Sequence, residues 1–419
     1  MCADTAPFEH EGLRVLDGTR VFLERVCLAS EVSPAVGDRS YLHAGPPLPT
    51  SELIPPMYGA VVAALMFEGE AADAEQAEAI IRGGGVSLRS CHEVGAVGAA
   101  TGLVSPHTPV VVVRTESGRS VFSPLHEGAG PSMRYGAFGP ETLDRLRWLA
   151  EVMTPALDEA ISASGPIEIT ALQAEGLRRG DECHNRNVAS SASLAILLAP
   201  GLASCRGSDA APLLQDLGEN GQFFLAFSMA AAKAVGDEAH QVADPGMVTA
   251  IAANGRHVGI RVSGCGDRWF LTPSPYGKPQ LFEGYTPEDA SALMGDSFAT
   301  EVIGLGAMAA SAAPALASFL GTDPMEAEAA VAEMRQISQG TSTRFLVPAE
   351  RYEGTPIGID VAKVCRTRIA PLVNGGFAHR KAGVGMVGAG VVRLPIEPFD
   401  EAMGTLTANA SLASGAVDD

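Results

Sequence analysis

The stretch GMVTAIAANGRHVGIRVSGCGDRWFLTPSP, residues 246–275, carries the clearest fold signal in the chain. Apolar and polar residues alternate on both sides of Asn254-Gly255, and an Asn-Gly pair between two alternating runs is a strong short-range signal of a β-hairpin. A second strand is predicted for the β-branched run PVVVVRTE, which begins at Pro109. Much of the remaining chain is rich in alanine and leucine at helical spacing. These patterns predict a mixed α/β or α+β protein.

The order of these signals divides the chain into three parts. Strand and helix patterns alternate over residues 1–165, helical patterns fill 166–242, and strands and helices mix again over 243–405. We therefore predict an N-terminal α/β domain, a helical segment or small domain and a C-terminal α+β domain, followed by a flexible tail at 406–419. A long helix of small residues is predicted after GDSFATEVIGLG, residues 295–306.

Composition and charge restrict the classes of function. Of 419 residues, 49 are acidic and 29 basic, and the net charge of −20 opposes the phosphate-neutralising surface that nucleic-acid binding needs. We find no signal-peptide pattern, and the longest apolar runs are too short or too rich in small residues to span a membrane. Seven scattered cysteines without a CxxC pair indicate a reducing compartment. We expect a cytoplasmic protein that binds neither nucleic acid nor membrane.

The segment GDECHNRN, residues 180–187, concentrates polar side chains between two alanine-rich runs. If it is helical, Asp181, His184 and Asn185 share one face. Burying such a set without partners is costly, which favours a functional site. A helix N-terminal cap with satisfied polar packing is the structural alternative. The candidate residues are Asp181, Glu182, His184, Asn185, Arg186 and Asn187.

The string RVSGCGDRWF, residues 261–270, also combines glycines with arginines. Glycines allow backbone amides to approach an anion, and the guanidinium of Arg261 or Arg268 fits a carboxylate or phosphate. A tight bend after a hairpin strand explains the same pattern. Binding loop and simple bend therefore remain equal alternatives here.

Other polar strings carry weaker signals. GVGMVGAG, residues 383–390, has the spacing of a dinucleotide loop but lacks the following helix and acid, so an anion- or amide-binding loop near His379 is preferred. CHEVGAVG and LHEGAGPSMRYG each contain a His-Glu pair, beginning at His92 and His126, but neither has the second histidine of an HExxH zinc motif. No catalytic metal is predicted, and no G-x-S-x-G nucleophile elbow occurs.

A series of unusual strings, taken in order, resembles the YlbE/AllG family. They include LHAGPP, CH…AVG…GLVSP, GDECHNRN, MVTAIAANG…GIRVSG.GDRWF, GDS..TE..GLG and TPIGIDV.KV, and they run from about residue 36 to about residue 400. The resemblance implies a multi-domain α/β fold with a Rossmann-like N-terminal part and a small helical part. It also implies a subunit of a bacterial oxamate carbamoyltransferase of allantoin breakdown, which exchanges a carbamoyl group between oxamate and phosphate with FdrA-like and AllH-like partner subunits.

The residues and the resemblance together indicate site positions. In the predicted mechanism an arginine holds an oxyanion or carboxylate, a histidine polarises the carbonyl or moves a proton, and asparagines bind the amide, so neither metal nor cofactor is required. The sequence departs from the family pattern at five positions, Glu93, His126, Pro131, Ala226 and Met386, which makes a different amide or carbamoyl substrate an alternative. The predicted catalytic residues are Asp181, Glu182, His184 and Arg186, and the predicted substrate-binding residues are Asn185, Asn187, Arg261, Ser263, Gly264, Gly266, Asp267, Arg268, His379, Glu127, Arg134 and His92.

Three functions remain open from the sequence. The first is carbamoyl transfer on a compound such as oxamate or oxalurate with phosphate or carbamoyl phosphate. The second is a stand-alone amidohydrolase or ring-opening enzyme on an allantoin-like compound, which needs no phosphate. The third is a non-catalytic binding subunit of a transferase complex, which gains activity only with its partner. A homo-oligomer is also expected.

Overall fold

The computed structural model describes residues 10–128, 130–205, 210–242 and 245–415. Over these ranges the chain is a mixed α/β protein with several small sheets. The α-helices are α1 Glu11–Gly18, α2 Pro55–Phe67, α3 Ala74–Arg82, α4 Pro140–Trp148, α5 Thr154–Ser164, α6 Ile169–Arg178, α7 Val188–Ser204, α8 Ala210–Glu219, α9 Leu225–His240, α10 Ala299–Val302, α11 Ala317–Leu320, α12 Pro324–Ile337, α13 Val361–Thr367 and α14 Glu397–Gly415. The strands are β1 Val21–Leu28, β2 Ser40–His43, β3 Ser87–Ser90, β4 Pro109–Thr115, β5 Ser120–Pro124, β6 Ile167–Glu168, β7 Val248–Asn254, β8 His257–Val262, β9 Phe270–Pro273, β10 Gln280–Leu281, β11 Met294–Gly295, β12 Ser338–Val347, β13 Glu353–Ile359, β14 Leu372–Ala378 and β15 Met386–Arg393.

The main N-terminal sheet has the strand order β5-β4-β1-β6, and its pairs are antiparallel. Strand β4 is buried along its length except at Arg114, because helices α5 and α9 cover the sheet. Strands β2 and β3 form a separate parallel pair. A Rossmann fold requires a parallel sheet with crossover helices. The mixed α/β class is confirmed, but the Rossmann-like arrangement implied by the resemblance is not.

The predicted hairpin is confirmed and lies within the sheet β11-β7-β8-β9. Gly255 has a φ of +78°, which glycine adopts without steric cost. The side chain of Asn254 holds the turn, since its Oδ1 accepts hydrogen bonds from the backbone N–H groups of Arg256 at 3.0 Å and His257 at 2.8 Å. Its Nδ2 also donates to the carbonyl oxygen of Pro46 at 2.8 Å, which joins the turn to the N-terminal region.

The long helix predicted after residue 306 is wrong. The chain instead forms α10, the 3-10 segments Gly306–Ala312 and Pro314–Leu316, and then α11. Gly304 and Gly306 have φ values of +89° and +59°, outside the range of a right-handed helix. A side chain at Gly306 would collide with the carboxylate of Glu301. The small residues therefore allow the backbone to pass close to the buried carboxylate of Glu301.

One hydrophobic core continues from the N-terminal sheet into the C-terminal sheets. It includes Val113 of β4, Phe227 of α9, Ile251 of β7 and Phe377 of β14. Helix α9 lies between the two sheets, in contact with β4, β5 and β7. The predicted helical segment therefore connects the other two parts through shared apolar packing.

Two further predictions concern a flexible tail at residues 406–419 and the absence of a membrane span. Of the predicted tail, residues 406–415 continue helix α14, and residues 416–419 lie outside the described ranges. Within the described part of the chain, no helix combines the length and the apolar character needed to cross a membrane.

Candidate functional site

A cleft of about 750 Å³ opens where three parts of the chain meet. The N-terminal part contributes the loop between β5 and α4, with His126 and Arg134. The middle part contributes residues 185–188 and the turn at 219–222, and the C-terminal part contributes Phe282, Tyr285, Leu316, Phe319 and residues 384–386. Clefts between domains that combine apolar walls with a few polar groups are the usual sites for small ligands.

The polar segment 180–187 is a loop between α6 and α7, so the alternative in which its side chains share a helical face does not apply. Gly180 and Cys183 adopt left-handed backbone conformations, with φ values of +95° and +61°. The fully buried Asp181 accepts hydrogen bonds from Ser190 through the backbone N–H at 2.8 Å and the hydroxyl at 2.9 Å. Asp181 therefore satisfies the first turn of α7, as a capping residue does.

Behind the cleft, a buried network joins this loop to the C-terminal part. The Nδ1 of His184 lies 2.9 Å and 3.1 Å from the two carboxylate oxygens of Glu301. Glu182 accepts hydrogen bonds from the backbone N–H groups of His184 and Asn185, and from the Nδ2 of Asn374 at 3.1 Å. Glu301 also accepts from the backbone N–H of Asn374 at 2.9 Å. Each buried carboxylate is thus surrounded by donors, which offsets the cost of its burial.

Burial shifts the acid–base behaviour of this network. It raises the pKa of Glu182 to about 7, although the neighbouring His184 partly opposes the shift. Burial alone would lower the pKa of His184, but the carboxylate of Glu301 outweighs it, and the pKa is raised above the ordinary value. Burial also raises the pKa of Asp181. The protonated forms of Asp181, Glu182 and His184 are therefore favoured more strongly here than in water.

Asn185 and Arg186 are the two members of the segment that line the cleft. The Nε of Arg186 donates to the carbonyl oxygen of Gly180 at 3.1 Å and lies 3.7 Å from the Oδ1 of Asp181. Its Nη1 and Nη2 have no partner within the described ranges, and its side chain is 32% exposed. The Nδ2 of Asn185 is buried without a partner among the same residues. The loop therefore presents the cationic N–H donors of Arg186 to the cleft, whereas the unpartnered Nδ2 of Asn185 is enclosed behind the cleft wall.

Asn187 and Gln222 brace this arrangement from the side. The Nδ2 of Asn187 donates to the carbonyl oxygen of His184 at 2.7 Å and to the Oε1 of Gln222 at 3.0 Å. Gln222 in turn donates to the carbonyl oxygen of Asn185. These bonds fix the backbone that carries Asn185 and Arg186.

The opposite wall is also rigid. Arg134 forms a fork, with Nη1 3.1 Å from the Oε2 of Glu127 and Nη2 3.1 Å from the carbonyl oxygen of Gly128. The Nδ1 of His126 accepts a hydrogen bond from the backbone N–H of Gly128 at 3.2 Å. The carbonyl oxygen of His126 accepts from the Nδ2 of Asn220 at 3.2 Å, so the middle part anchors this loop.

The structure does not bring the second predicted motif to the cleft. Arg261 is buried on β8, pairs with Asp267 and lies 5.9 Å from the ring centroid of Trp269. Arg268 pairs with Glu401 on α14. None of Arg261, Ser263, Gly264, Gly266, Asp267 and Arg268 lines the cleft.

The remaining predicted histidines also lie off the cleft wall. His92 packs edge-on against Trp269, with its Nε2 3.3 Å from the Oδ1 of Asp296, in a separate buried cluster. The ring of His379 contacts that of Tyr285 at 5.9 Å, and its backbone N–H donates to the carbonyl oxygen of Gly385 at 2.8 Å. Since Tyr285 and Gly385 line the cleft, His379 supports its wall without reaching it.

Three of the five positions predicted to depart from the family pattern line the cleft. These are His126, Pro131 and Met386, while His126 and Ala226 both line a smaller neighbouring cavity of about 30 Å³. Glu93 lies elsewhere, where its carboxylate accepts a hydrogen bond from the backbone N–H of Ser90 at 3.0 Å. Most of the predicted departures therefore lie at or next to the cleft.

Sequence reasoning missed Glu301, Asn374, Asn220 and Gln222 as parts of the site. Glu301 had a detectable signal, since it is a single acid within the otherwise apolar and small-residue run after residue 297. The other three are amides without a distinctive pattern. Over the described ranges no three His, Cys, Asp or Glu side chains are arranged to hold a metal ion.

The chain resembles known proteins over most of its length. The model of the AllG family, described as oxamate carbamoyltransferase subunit AllG, matches residues 86–297. The chain belongs to this family. It is 40% identical over 383 residues to the oxamate carbamoyltransferase subunit AllG of Escherichia coli K12, covering 90% of this chain and 91% of the relative.

Two further proteins resemble the chain over most of its length. The uncharacterized protein YahG of the same organism is 34% identical over 378 residues, which cover 90% of this chain and 80% of YahG. The crystal structure of a conserved protein of unknown function from Enterococcus faecalis V583 matches with a TM-score of 0.92 and 36% identity over 95% of this chain and 96% of that one. The family and its fold are thereby shown.

Proposed function

We propose that the three-walled cleft binds a small anionic carbamoyl compound, of the class of oxamate or oxalurate, together with phosphate, and that the chain takes part in carbamoyl transfer as one subunit of a complex. The observation that carries this proposal is the free guanidinium end of Arg186 at the cleft, next to Asn185. The predicted FdrA-like and AllH-like subunits remain the proposed partners.

The free end of Arg186 suits an oxyanion. A guanidinium presents parallel N–H groups that match a carboxylate or phosphate, and such charge-assisted hydrogen bonds are the strong ones. The buried Nδ2 of Asn185 needs an acceptor, because an unpaired buried amide is costly. A ligand with an anionic end would satisfy Arg186 directly, and the Nδ2 of Asn185 would reach a ligand oxygen only after its side chain turns toward the cleft.

The proposed reaction uses two anions. A phosphate oxygen attacks the ureido carbonyl carbon of oxalurate, a C–O bond forms, the bond from that carbon to the amide nitrogen breaks, and the nitrogen takes the proton of hydrogenphosphate. The products are carbamoyl phosphate and oxamate. Because both reactants are negatively charged, positioning and charge neutralisation are the main tasks of the protein. Arg186 supplies positive charge for these tasks, whereas Arg134 across the cleft is already paired with Glu127.

In this proposal Asp181, Glu182 and His184 are positioning residues, because their side chains are buried behind the cleft and contact Ser190, Asn374 and Glu301. They act through the loop that carries Asn185 and Arg186. This differs from the catalytic roles expected for them from the sequence.

Ligand binding tests the proposal directly. Oxamate, oxalurate, phosphate and carbamoyl phosphate are titrated into the purified chain by calorimetry, and at least one should bind and raise the melting temperature. Arg186→Gln should weaken that binding by about 10- to 100-fold, since hydrogen bonds to charged groups contribute roughly 1.5–3 kcal/mol. The melting temperature of the unliganded variant should stay close to that of the parent.

The matched control is Arg147→Gln, an exposed arginine of α4 that pairs with Asp144. It should leave binding unchanged. Equal affinities for the parent and Arg186→Gln would reject the cleft as the anion site. Product formation without added phosphate would instead favour the amidohydrolase alternative.

A further inference from the structure

His126 connects two spaces in the protein. The residue lines both the cleft and the smaller cavity of about 30 Å³, which has room for about one water molecule. The residue is only 7% exposed. Asn220 holds its backbone through the carbonyl oxygen, and the backbone N–H of Gly128 holds its ring at Nδ1.

The contact with Gly128 determines which ring nitrogen carries the proton. A backbone N–H can only donate, and therefore the Nδ1 of His126, 3.2 Å away, acts as the acceptor. In a neutral imidazole the other nitrogen is then the N–H donor. The Nε2 of His126 has no hydrogen-bond partner among the described residues, and it does not belong to their fully enclosed unpartnered atoms.

The surroundings also keep the ring uncharged. Burial lowers the pKa of His126 well below its ordinary value, and the guanidinium groups of Arg134 and Arg145 lower it further. The neighbours on the other side, Asn220 and Ala226, are neutral. Glu127 is already engaged by Arg134. The imidazole therefore remains a donor over the pH range in which most proteins are studied, and it is not available as a general base.

We propose that the Nε2–H of His126 donates a hydrogen bond to the carbonyl oxygen of the carbamoyl compound in the cleft, and so polarises that carbonyl. This inference rests on the proposed function, because it assigns a role at the same site. As the carbonyl carbon is attacked, negative charge develops on its oxygen, and a donor fixed in advance stabilises it without reorganisation. A neutral imidazole is suited to this electrophilic role.

Nitrogen NMR of the histidine rings tests the inference on the intact chain. The chain has nine histidines, and the signal of His126 is the one missing from the spectrum of His126→Asn. The expected pattern is a protonated Nε2, an unprotonated Nδ1 and no titration between about pH 6 and about pH 8. Saturating oxamate or carbamoyl phosphate should shift the Nε2–H signal. A proton on Nδ1, or titration near neutral pH, would overturn the proposal.

Two variants add an independent measurement. His126→Asn keeps a side-chain N–H donor and should bind within about 3-fold of the parent, whereas His126→Ala should bind about 3- to 10-fold more weakly. If Arg186→Gln abolishes binding but the Nε2–H signal of the parent does not respond to ligand, the cleft remains the binding site and the role of His126 is refuted. If no probe binds the parent, the proposed function and the role of His126 fall together.

Discussion

Two polar motifs of the chain, residues 180–187 and 261–268, both combine acidic and basic residues with glycine and cysteine but lie in different environments. In the first, buried acids are surrounded by donors from other segments, and Arg186 retains unfilled donors at a cleft. In the second, Arg261 and Arg268 already have carboxylate partners, and no residue reaches the cleft. A candidate binding segment is therefore recognised by the donors it leaves unfilled.

The largest effect is expected where the first segment depends on the C-terminal part. Glu301→Ala removes the partner of His184 and leaves the backbone N–H groups of Asn374 and Ala307 unpaired. We expect the free energy of unfolding to fall by about 3–5 kcal/mol, since breaking a buried ion pair leaves an uncompensated charge. Urea unfolding measures it, with the exposed Glu283→Ala as control. A change under about 1 kcal/mol would contradict the role of this network.

The pH dependence of stability should reveal the raised pKa of Glu182. Its pKa is about 7 in the folded chain against an ordinary 4.5, so the folded state binds more protons over this interval and stability falls as the pH rises, by about 3 kcal/mol in all. His184, with its raised pKa, acts in the same direction, and its contribution is lost as the pH rises through the folded value. Urea unfolding from about pH 5 to about pH 8 should therefore show a more negative pH slope in the parent than in Glu182→Gln.

The comparison with Glu182→Gln isolates the group from other titrations. Burial lowers the pKa values of other histidines, whose contributions rise with pH but are present in both proteins. Identical slopes for the two proteins would show that Glu182 does not hold a proton in the folded state. The histidines with lowered pKa values are His43, His126 and His240.

A smaller effect is expected for the brace beside the loop. Gln222→Ala removes two hydrogen bonds to the segment, at Asn185 and Asn187. The cost to the free energy of unfolding should be about 1–2 kcal/mol, and oxamate should bind more weakly because the loop is less fixed. Gln215→Ala, on the exposed side of the adjoining helix α8, should change neither quantity. Unaltered oxamate affinity in Gln222→Ala would show that binding does not depend on the hydrogen bonds by which Gln222 holds the loop.

The smallest effect should come from the second segment. Arg268→Gln breaks a pair with Glu401 in which both side chains are about half exposed, at 53% and 48%. Such pairs contribute about 0–1 kcal/mol, and the residue lies away from the cleft. Thermal unfolding and calorimetry with oxamate should both resemble the parent. Loss of oxamate binding in this variant would show that the second segment also contributes to the site.

Local elements of the fold were predictable because their signals are local. The Asn254-Gly255 hairpin, the valine run of β4 and the helix α12 follow from turn chemistry and periodicity within a few residues. The interruption of the helix predicted after residue 306 could not be predicted from the sequence. It depends on the close approach of the Glu301 carboxylate to Gly306, which only the tertiary structure shows. The antiparallel order of the N-terminal sheet likewise depends on pairings between distant strands.

The sequence by itself determined the family, the local strands and helices, and the concentration of polar groups at residues 180–187. Only the tertiary structure decided which of those groups face the cleft. His184 meets a carboxylate 117 positions away, and Glu182 meets an amide 192 positions away. Contacts over such separations leave no local periodicity in a single chain, yet they decide which polar atoms are satisfied and which remain free for a ligand.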